Sequence, residues 1–390
     1  MLMTFMKRTA ISGAISASLL FASSAQSVNI GTFDNTSVTI GGYVKMDVIA
    51  SSYSDGALGA GNLGRDFYIP SLTPVGGTKE NSTLDMHARQ SRFNIGTQSV
   101  IDNHTLKTFL EFDFLATPNG NERVTNSYSP RMRHAYISYD NWLFGQTWST
   151  FQNTGALPET ADFIGNTDFG IFIRQTQIRY TAGNFQFAME NPESTVTPNG
   201  GGTRIVTDDN ELPDFVARYN LKSGDLNLVT ALLARQLTYN DGAAIDSSTS
   251  SYGLSVSGKL MLGADDIRFG VNTGSGMGRY IGINVANGAV IDASGELEAI
   301  DSTAYYLAYR HIWNNKWRSN LTYSGINIDN DTALTGTAAT ESTYSIRANL
   351  FYTVSNNFIM GGEFAHATRE IESGSDGDMD RLQFTAKLSF

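Results

Sequence analysis

The chain of 390 residues contains no cysteine, 8 prolines and 5 histidines, and beyond its first 25 residues it has no apolar run long enough to span a membrane as a helix. Without cysteine there is no disulfide framework and no thiolate metal centre, which suits a chain that crosses an oxidising compartment unaided. The histidines, His87, His104, His134, His311 and His366, are scattered, with no metal-ligand spacing and no G-x-S-x-G nucleophile motif. Basic residues are also scarce: 27 Lys and Arg against 38 Asp and Glu give a net charge of −11, which argues against nucleic acid as a partner. What is abundant is 38 Gly, 17 Tyr and 22 Phe, a composition that favours strands and turns. Any membrane role must therefore come from strands.

The first 25 residues read as an export signal. Lys7 and Arg8 supply the positive start, Thr9 to Phe21 the apolar stretch and Ser23-Ser24-Ala25 a small-residue cleavage site. The other end is a strand that runs to the last residue. From Met379 to Phe390, Leu382, Phe384, Ala386, Leu388 and Phe390 alternate with Arg381, Gln383, Thr385, Lys387 and Ser389, giving one apolar and one polar face. Chain ends usually fray, whereas the last strand of a transmembrane barrel must close against the first.

The intervening chain reads as hairpins with alternating short and long connections. Tight-turn clusters lie at Asp102–His104, Asp140–Asn141, Ala182–Asn184, Ser223–Asp225, Gly263–Asp265, Asn314–Lys316 and Ser355–Asn357. Long connections surround 52–83, 117–129, 151–171, 194–212, 240–248, 275–301, 329–341 and 370–378. Seven turns and eight loops make sixteen strands, with tight turns at the periplasmic end and external loops at the other. Leu106, Leu110, Phe112 and Phe114 oppose Lys107, Glu111 and Asp113; Tyr252, Leu254, Val256 and Leu260 oppose Ser255, Ser257 and Lys259. In a wide barrel such charges are expected to face water, because burying them unpaired would cost several kcal/mol each. Trp142, Phe144, Phe185, Trp313, Trp317, Phe358 and Phe390 gather beside the tight turns, where an aromatic girdle belongs. The expected fold is an all-β, 16-stranded antiparallel transmembrane barrel with an inward-folded third loop. It encloses an aqueous channel, with too few residues before a first strand at Ser37–Ala50 for a plug.

The polar parity of the strands is basic. Arg92, Lys107, Arg218, Arg235, Lys259, Arg268, Arg318, Arg347, Arg381 and Lys387 fall on it, while acids concentrate in the loops. Guanidinium groups bind both oxygens of a carboxylate, so such a wall favours anions. Arg89 and Arg92 on the second strand, Arg131 and Arg133 on the fourth, and Arg174 and Arg179 on the sixth bracket the segment 151–171, which carries Glu159, Asp162 and Asp168. Folded inward, that segment would narrow the pore against an arginine wall. The parity of Arg89, Arg131 and Arg179 stays open, with a bulge or a subunit contact as alternatives.

Arg92-Phe93-Asn94-Ile95-Gly96, Arg133-His134-Ala135-Tyr136-Ile137 and Pro158-Glu159 resemble strands and the constriction loop of trimeric general porins. More closely, Gly42 to Asp47, Ala88 to Arg92, Trp142 to Trp148 and Arg174 to Tyr180 resemble the DcaP-like porins. The resemblance implies a homotrimer of anion-preferring barrels that take up small solutes, dicarboxylates included. It makes Arg92, Arg133 and Arg174 the constriction arginines and Glu159 part of the inward loop. Some relatives carry a helical extension before the barrel, and none is expected here. The implied setting is the bacterial outer membrane, with lipid, lipopolysaccharide, small anionic solutes and the barrel-insertion machinery as partners and no cofactor or metal. A non-specific diffusion porin, a barrel enzyme and an adhesin are the alternatives.

Overall fold

The computed structural model describes residues 27–117 and 120–390, so the expected export signal lies outside the described residues. Sixteen antiparallel strands close into a barrel: β1 Thr36–Tyr53, β2 in two pieces (Asn81–His87 and Arg92–Ile101), β3 His104–Asp113, β4 Arg131–Tyr139, β5 Trp142–Trp148, β6 Arg174–Ala182, β7 Phe185–Glu190 and β8 Asp214–Ser223, followed by β9 Leu226–Asn240, β10 Asp246–Leu262, β11 Asp265–Ser275, β12 Asp301–Ile312, β13 Trp317–Asp329, β14 Thr340–Ser355, β15 Phe358–Ile371 and β16 Asp376–Ser389. Each strand pairs with its neighbours in sequence, and β16 closes on β1 from Met379 opposite Tyr53 to Ser389 opposite Tyr43. The last residue seals the seam: the Phe390 N–H donates to the Gly42 carbonyl at 3.0 Å, and the Gly42 N–H donates back at 3.1 Å. Gly42 has φ +156°, and a Cβ there would meet the Arg92 carbonyl oxygen at 2.2 Å, so this crossing point admits glycine alone.

All seven tight turns fall where the sequence places them. Asp102 and Asn103 both have positive φ, as a two-residue hairpin turn matched to strand twist requires. Two features escaped the sequence pattern. A strand at Val28–Phe33 precedes β1 and folds back on Thr36–Ile40, prolonging the line of β16 beyond Phe390. And β2 is interrupted, its first piece pairing with Asp47–Tyr53 and its second with Thr36–Tyr43. Arg89, expected on a strand, therefore sits in the break between them.

The exposed face of the barrel is apolar and the inward face polar, the inverse of a soluble protein. On β16, Leu382, Phe384 and Leu388 are exposed while Arg381, Gln383 and Thr385 are buried. Lipid is the solvent such a face suits, since the strands of the closed wall pair their backbone groups with their neighbours.

The interior differs from the water-filled tube expected. Loop 3 (149–173), loop 1 (54–80) and loop 6 (276–300) all fold inward and meet. Phe151, Phe169 and Ile171 of loop 3 and Met277, Tyr280, Ile281 and Val285 of loop 6 pack on Ala188, Val216, Leu233, Tyr306 and Ile326 of the wall. Phe67 and Ile69 of loop 1 pack with Ile164 of loop 3, with Phe163, Phe172 and Ile283 against them. Each such side chain contributes about 1.5–3 kcal/mol on burial, enough together to hold three loops in place. Charged wall residues expected to face water are consequently covered: Arg347 and Arg381 are 1% and 2% exposed, Glu111 3% and Asp113 0%. Outside the wall, Ser194–Thr197, Ile205–Thr207, Ala289–Ile291 and Leu297–Ala299 form a small sheet joining loops 4 and 6.

Candidate pore constriction

The wall beside β2 to β6 gathers the arginines that bracket loop 3. A register shift between Glu111 and Phe112 of β3 puts Arg131 and Arg133 of β4 on the same inner face as Glu111 and Asp113. Arg133 donates from Nε to Glu111 at 2.7 Å and from Nη1 to Asp113 at 3.0 Å. Arg131 donates to both oxygens of Asp113 at 2.9 and 2.8 Å, and Arg92 Nε lies 3.5 Å from Glu111. Arg174, at the start of β6, has no carboxylate within ion-pair distance among the described residues. Instead its guanidinium lies over Trp148 at 4.6 Å and Phe172 at 5.1 Å. Phe172 meets Phe163 at 5.2 Å, and Phe163 carries Arg131 and Arg133 at 5.9 and 5.5 Å. One cluster of edge-to-face aromatic rings thus contacts three arginines. Four guanidinium groups face two carboxylates, so the patch keeps positive charge that its own acids do not neutralise.

The basic surface continues across the seam. The Tyr43 ring lies 5.1 Å from the Arg92 guanidinium and 5.4 Å from Lys387 Nζ, a cation on either side of one aromatic. Lys45, opposite Lys387 in the register, sits 3.1 Å from Asp47 and donates to Gln90 at 2.7 Å and to the Ala161 carbonyl of loop 3 at 2.9 Å. Tyr43 and Lys45 were not singled out as site residues, although the strand parity that selected Lys387 would have found both.

The remaining wall residues separate into two groups. Arg218, Arg235, Arg268, Arg318, Arg347 and Arg381 all point inward and clamp the loops. Arg218 donates to the Gln152 carbonyl at 2.6 Å, Arg268 to that of Leu157, Arg235 to that of Met277 at 3.2 Å and Arg381 to that of Gly64 at 2.5 Å. Arg347 lies 3.5 Å from Glu363 and 3.8 Å from Asp162. Lys107 and Lys259 share the inner parity near the tight-turn end, and Arg179 faces inward opposite Leu143. Arg89 leaves the patch altogether, paired with Asp66 and Glu122 and lying over Tyr128 at 4.5 Å.

Loop 3 crosses the lumen on charged and hydroxyl anchors. Arg318 grips Glu159 with both ends of its fork, at 2.8 and 2.6 Å. Burial pushes the Glu159 carboxyl up, but the hydrogen bonds and charge of Arg318 outweigh it and hold the group below the usual carboxylate range. The Ala161 N–H donates to Glu363 at 2.9 Å, and the Asp162 carboxylate accepts from the Tyr68, Ile164 and Gly165 N–H groups at 3.0 to 3.2 Å. Asp168, fully buried, accepts from the hydroxyls of Tyr68, Thr343 and Ser345 at 2.8, 2.6 and 2.5 Å.

Loop 1 carries a pH signature. Burial pushes the Asp66 carboxyl up to about 6, with Arg89 opposing and Asp85 and Glu122 adding to the rise. His87 Nε2 stands 3.8 Å from it. A carboxyl raised from 3.8 when docked binds protons more tightly docked than undocked. Docking is therefore favoured below the unperturbed value and weakens as pH rises through about 6, by at most roughly 3 kcal/mol. Hydrogen exchange over residues 63–73, corrected for intrinsic rates, isolates this contribution: on going from pH 7.5 to pH 5, Asp66→Asn is expected to lose protection relative to the parent, whose Asp66 favours docking at the lower pH. The same pH dependence in both proteins would exclude Asp66 as a controlling group.

A profile of a family described as "DcaP outer membrane protein" matches residues 66–390. Among solved structures, the outer membrane channel DcaP of Acinetobacter baumannii is 22% identical and superposes with a TM-score of 0.75, covering 93% of this chain and 100% of its own. OmpT of Vibrio cholerae is 12% identical, with a TM-score of 0.57 over 92% of this chain and 99% of that one. An anion-selective porin from Comamonas acidovorans is 11% identical, with a TM-score of 0.56 over 91% and 100%. No curated protein sequence matches the chain.

Proposed function

The chain belongs to the DcaP outer membrane protein family, and on that premise we propose that this outer-membrane porin channel prefers anions and passes small dicarboxylates by passive diffusion. The observation that carries the reading is the cationic excess at Arg92, Arg131, Arg133 and Arg174, with Arg174 left to an aromatic stack instead of a carboxylate. A solute with a carboxylate at each end could exchange hydration for guanidinium contacts at two points along that wall, whereas a monoanion has one. Lys387, which shares the Tyr43 ring with Arg92, extends the track, and Glu159 contributes by holding loop 3 through Arg318. The similarity to an anion-selective porin supports the charge preference, and that to an OmpT trimer form supports a homotrimer.

The test is electrical. In a planar bilayer with a potassium chloride gradient, the reversal potential is expected to take the sign of chloride permeation, and succinate should block the current more strongly than acetate. A cation-selective reversal potential would overturn the anion reading. Equal block by the two acids would reduce the protein to a non-specific diffusion porin.

A further inference from the structure

At the tight-turn end of β12 and β13 the outer wall carries a notch of about 460 Å³ lined by Trp313, Asn314, Trp317, Ser319 and Leu350. We propose that this notch binds one phospholipid of the periplasmic leaflet, with its phosphate on Lys316 and Asn314 and an acyl chain against Leu350 and Leu321.

The notch is built. Trp313 is 62% exposed, yet its indole N–H donates to Ser319 Oγ at 2.9 Å and its ring meets His311 edge-on at 4.3 Å, so the indole stands as a fixed wall. Trp317 forms the facing wall, packed on Tyr352 at 4.6 Å. Ser319 pairs with Leu350 across β13 and β14, and Leu321 follows on the same outward parity; both leucines are about half exposed. The floor is therefore hydrocarbon on the side that faces the membrane core.

Charge selects the occupant. Lys316 places its Nζ 5.8 Å from the Tyr352 ring, beside the mouth of the notch, and no acid lies within ion-pair distance of it among the described residues. The nearby carboxylate, Asp265, is committed elsewhere: it accepts from Tyr309 Oη at 2.6 Å and from the Ile312 N–H at 2.8 Å, and contacts His311 Nδ1 at 2.9 Å. Asn314 uses its carbonyl oxygen for the N–H groups of Lys316 and Trp317 at 2.9 and 3.1 Å, which leaves its amide hydrogens for an acceptor. A cation and an amide above an apolar floor match a phosphate joined to an acyl chain. Lipopolysaccharide belongs at the opposite, long-loop end. A second barrel would offer a flat wall, which two projecting indoles would hold off.

Native mass spectrometry of the intact porin, purified in mild detergent after exposure to phosphatidylglycerol vesicles, tests the site. One retained phosphatidylglycerol per chain is expected. Trp313→Ala should lower retention roughly tenfold and Lys316→Gln about fivefold, while Lys316→Gln should leave retention of uncharged diacylglycerol unchanged. Trp313→Phe, the milder variant if Trp313→Ala assembles poorly, should fall between. Unaltered retention in these variants, or an equal loss with Trp142→Ala elsewhere in the girdle, would overturn the proposal. So would a crosslink from position 313 to a second copy.

Discussion

Arg174→Ala should lower the chloride-over-potassium permeability ratio several-fold while leaving the barrel as stable as the parent. Arg174 is the arginine of the patch with no ion-pair partner among the described residues, so its removal orphans no carboxylate, and the loss is of field alone. Arg133→Ala should behave differently. Arg133 is 2% exposed and bonded to both Glu111 and Asp113. Truncation subtracts the same single charge, but it also removes the cation nearest to Glu111 and Asp113 and leaves their field less screened at the wall. Breaking a buried pair of this kind costs about 3–5 kcal/mol, so this variant should also melt earlier. The reversal potential should move towards potassium further in Arg133→Ala than in Arg174→Ala. If both variants keep the parental reversal potential, permeation does not pass this wall. Arg131 lessens the effect of Arg133→Ala, because it still holds Asp113 through two hydrogen bonds.

The barrel was legible in the sequence because its physics is local. Strict alternation fixes which face meets lipid, and Asn, Asp and Gly clusters fix where the chain reverses. The seam at Met379–Phe390 and all seven turns follow from these two signals. The break in β2 does not, since Ala88-Arg89-Gln90-Ser91 breaks alternation no more than a bulge would. Val28–Phe33 escaped for the opposite reason, being a strand too short and too near the start of the barrel to register as more than a lead-in.

The candidate site was half legible. Arg92, Arg133 and Arg174 come together as the spacing around loop 3 implied. What failed was the assumption that inward parity means contact with water. Arg218, Arg235, Arg268 and Arg381 bond loop carbonyls and Arg347 faces Asp162 at 3.8 Å, and periodicity along a strand cannot reveal a partner supplied by a distant loop. A signal was present all the same. Phe67-Tyr68-Ile69-Pro70 in loop 1, Phe163-Ile164 and Phe169-Gly170-Ile171-Phe172-Ile173 in loop 3, and Tyr280-Ile281 in loop 6 are too apolar for segments facing water. Apolar density inside a long loop of a barrel points to burial in the lumen.

Those apolar loops make Asp168→Ala the substitution with the largest expected effect on pore size. The Asp168 side chain is fully buried and accepts three hydroxyl hydrogen bonds, from Tyr68 of loop 1 and from Thr343 and Ser345 of β14. Removing the shared acceptor leaves three buried donors unsatisfied at about 1–3 kcal/mol each, and it uncouples loop 3 from loop 1 and from the wall at once. The Arg318–Glu159 clasp is weaker by comparison, because both side chains keep partial access to water, which can solvate either group when its partner is removed. Asp168→Ala should therefore raise single-channel conductance by roughly twofold and add open-channel noise, whereas Glu159→Gln should change it little. Asp168→Asn, which keeps one acceptor oxygen, should fall between the two. The barrel itself should survive, since no ladder hydrogen bond involves the Asp168 side chain, and heat-modifiable migration on denaturing gels would verify this. An Asp168→Ala channel with parental conductance and noise would mean that the apolar contacts of Phe151, Phe169 and Ile171 hold loop 3 without the carboxylate.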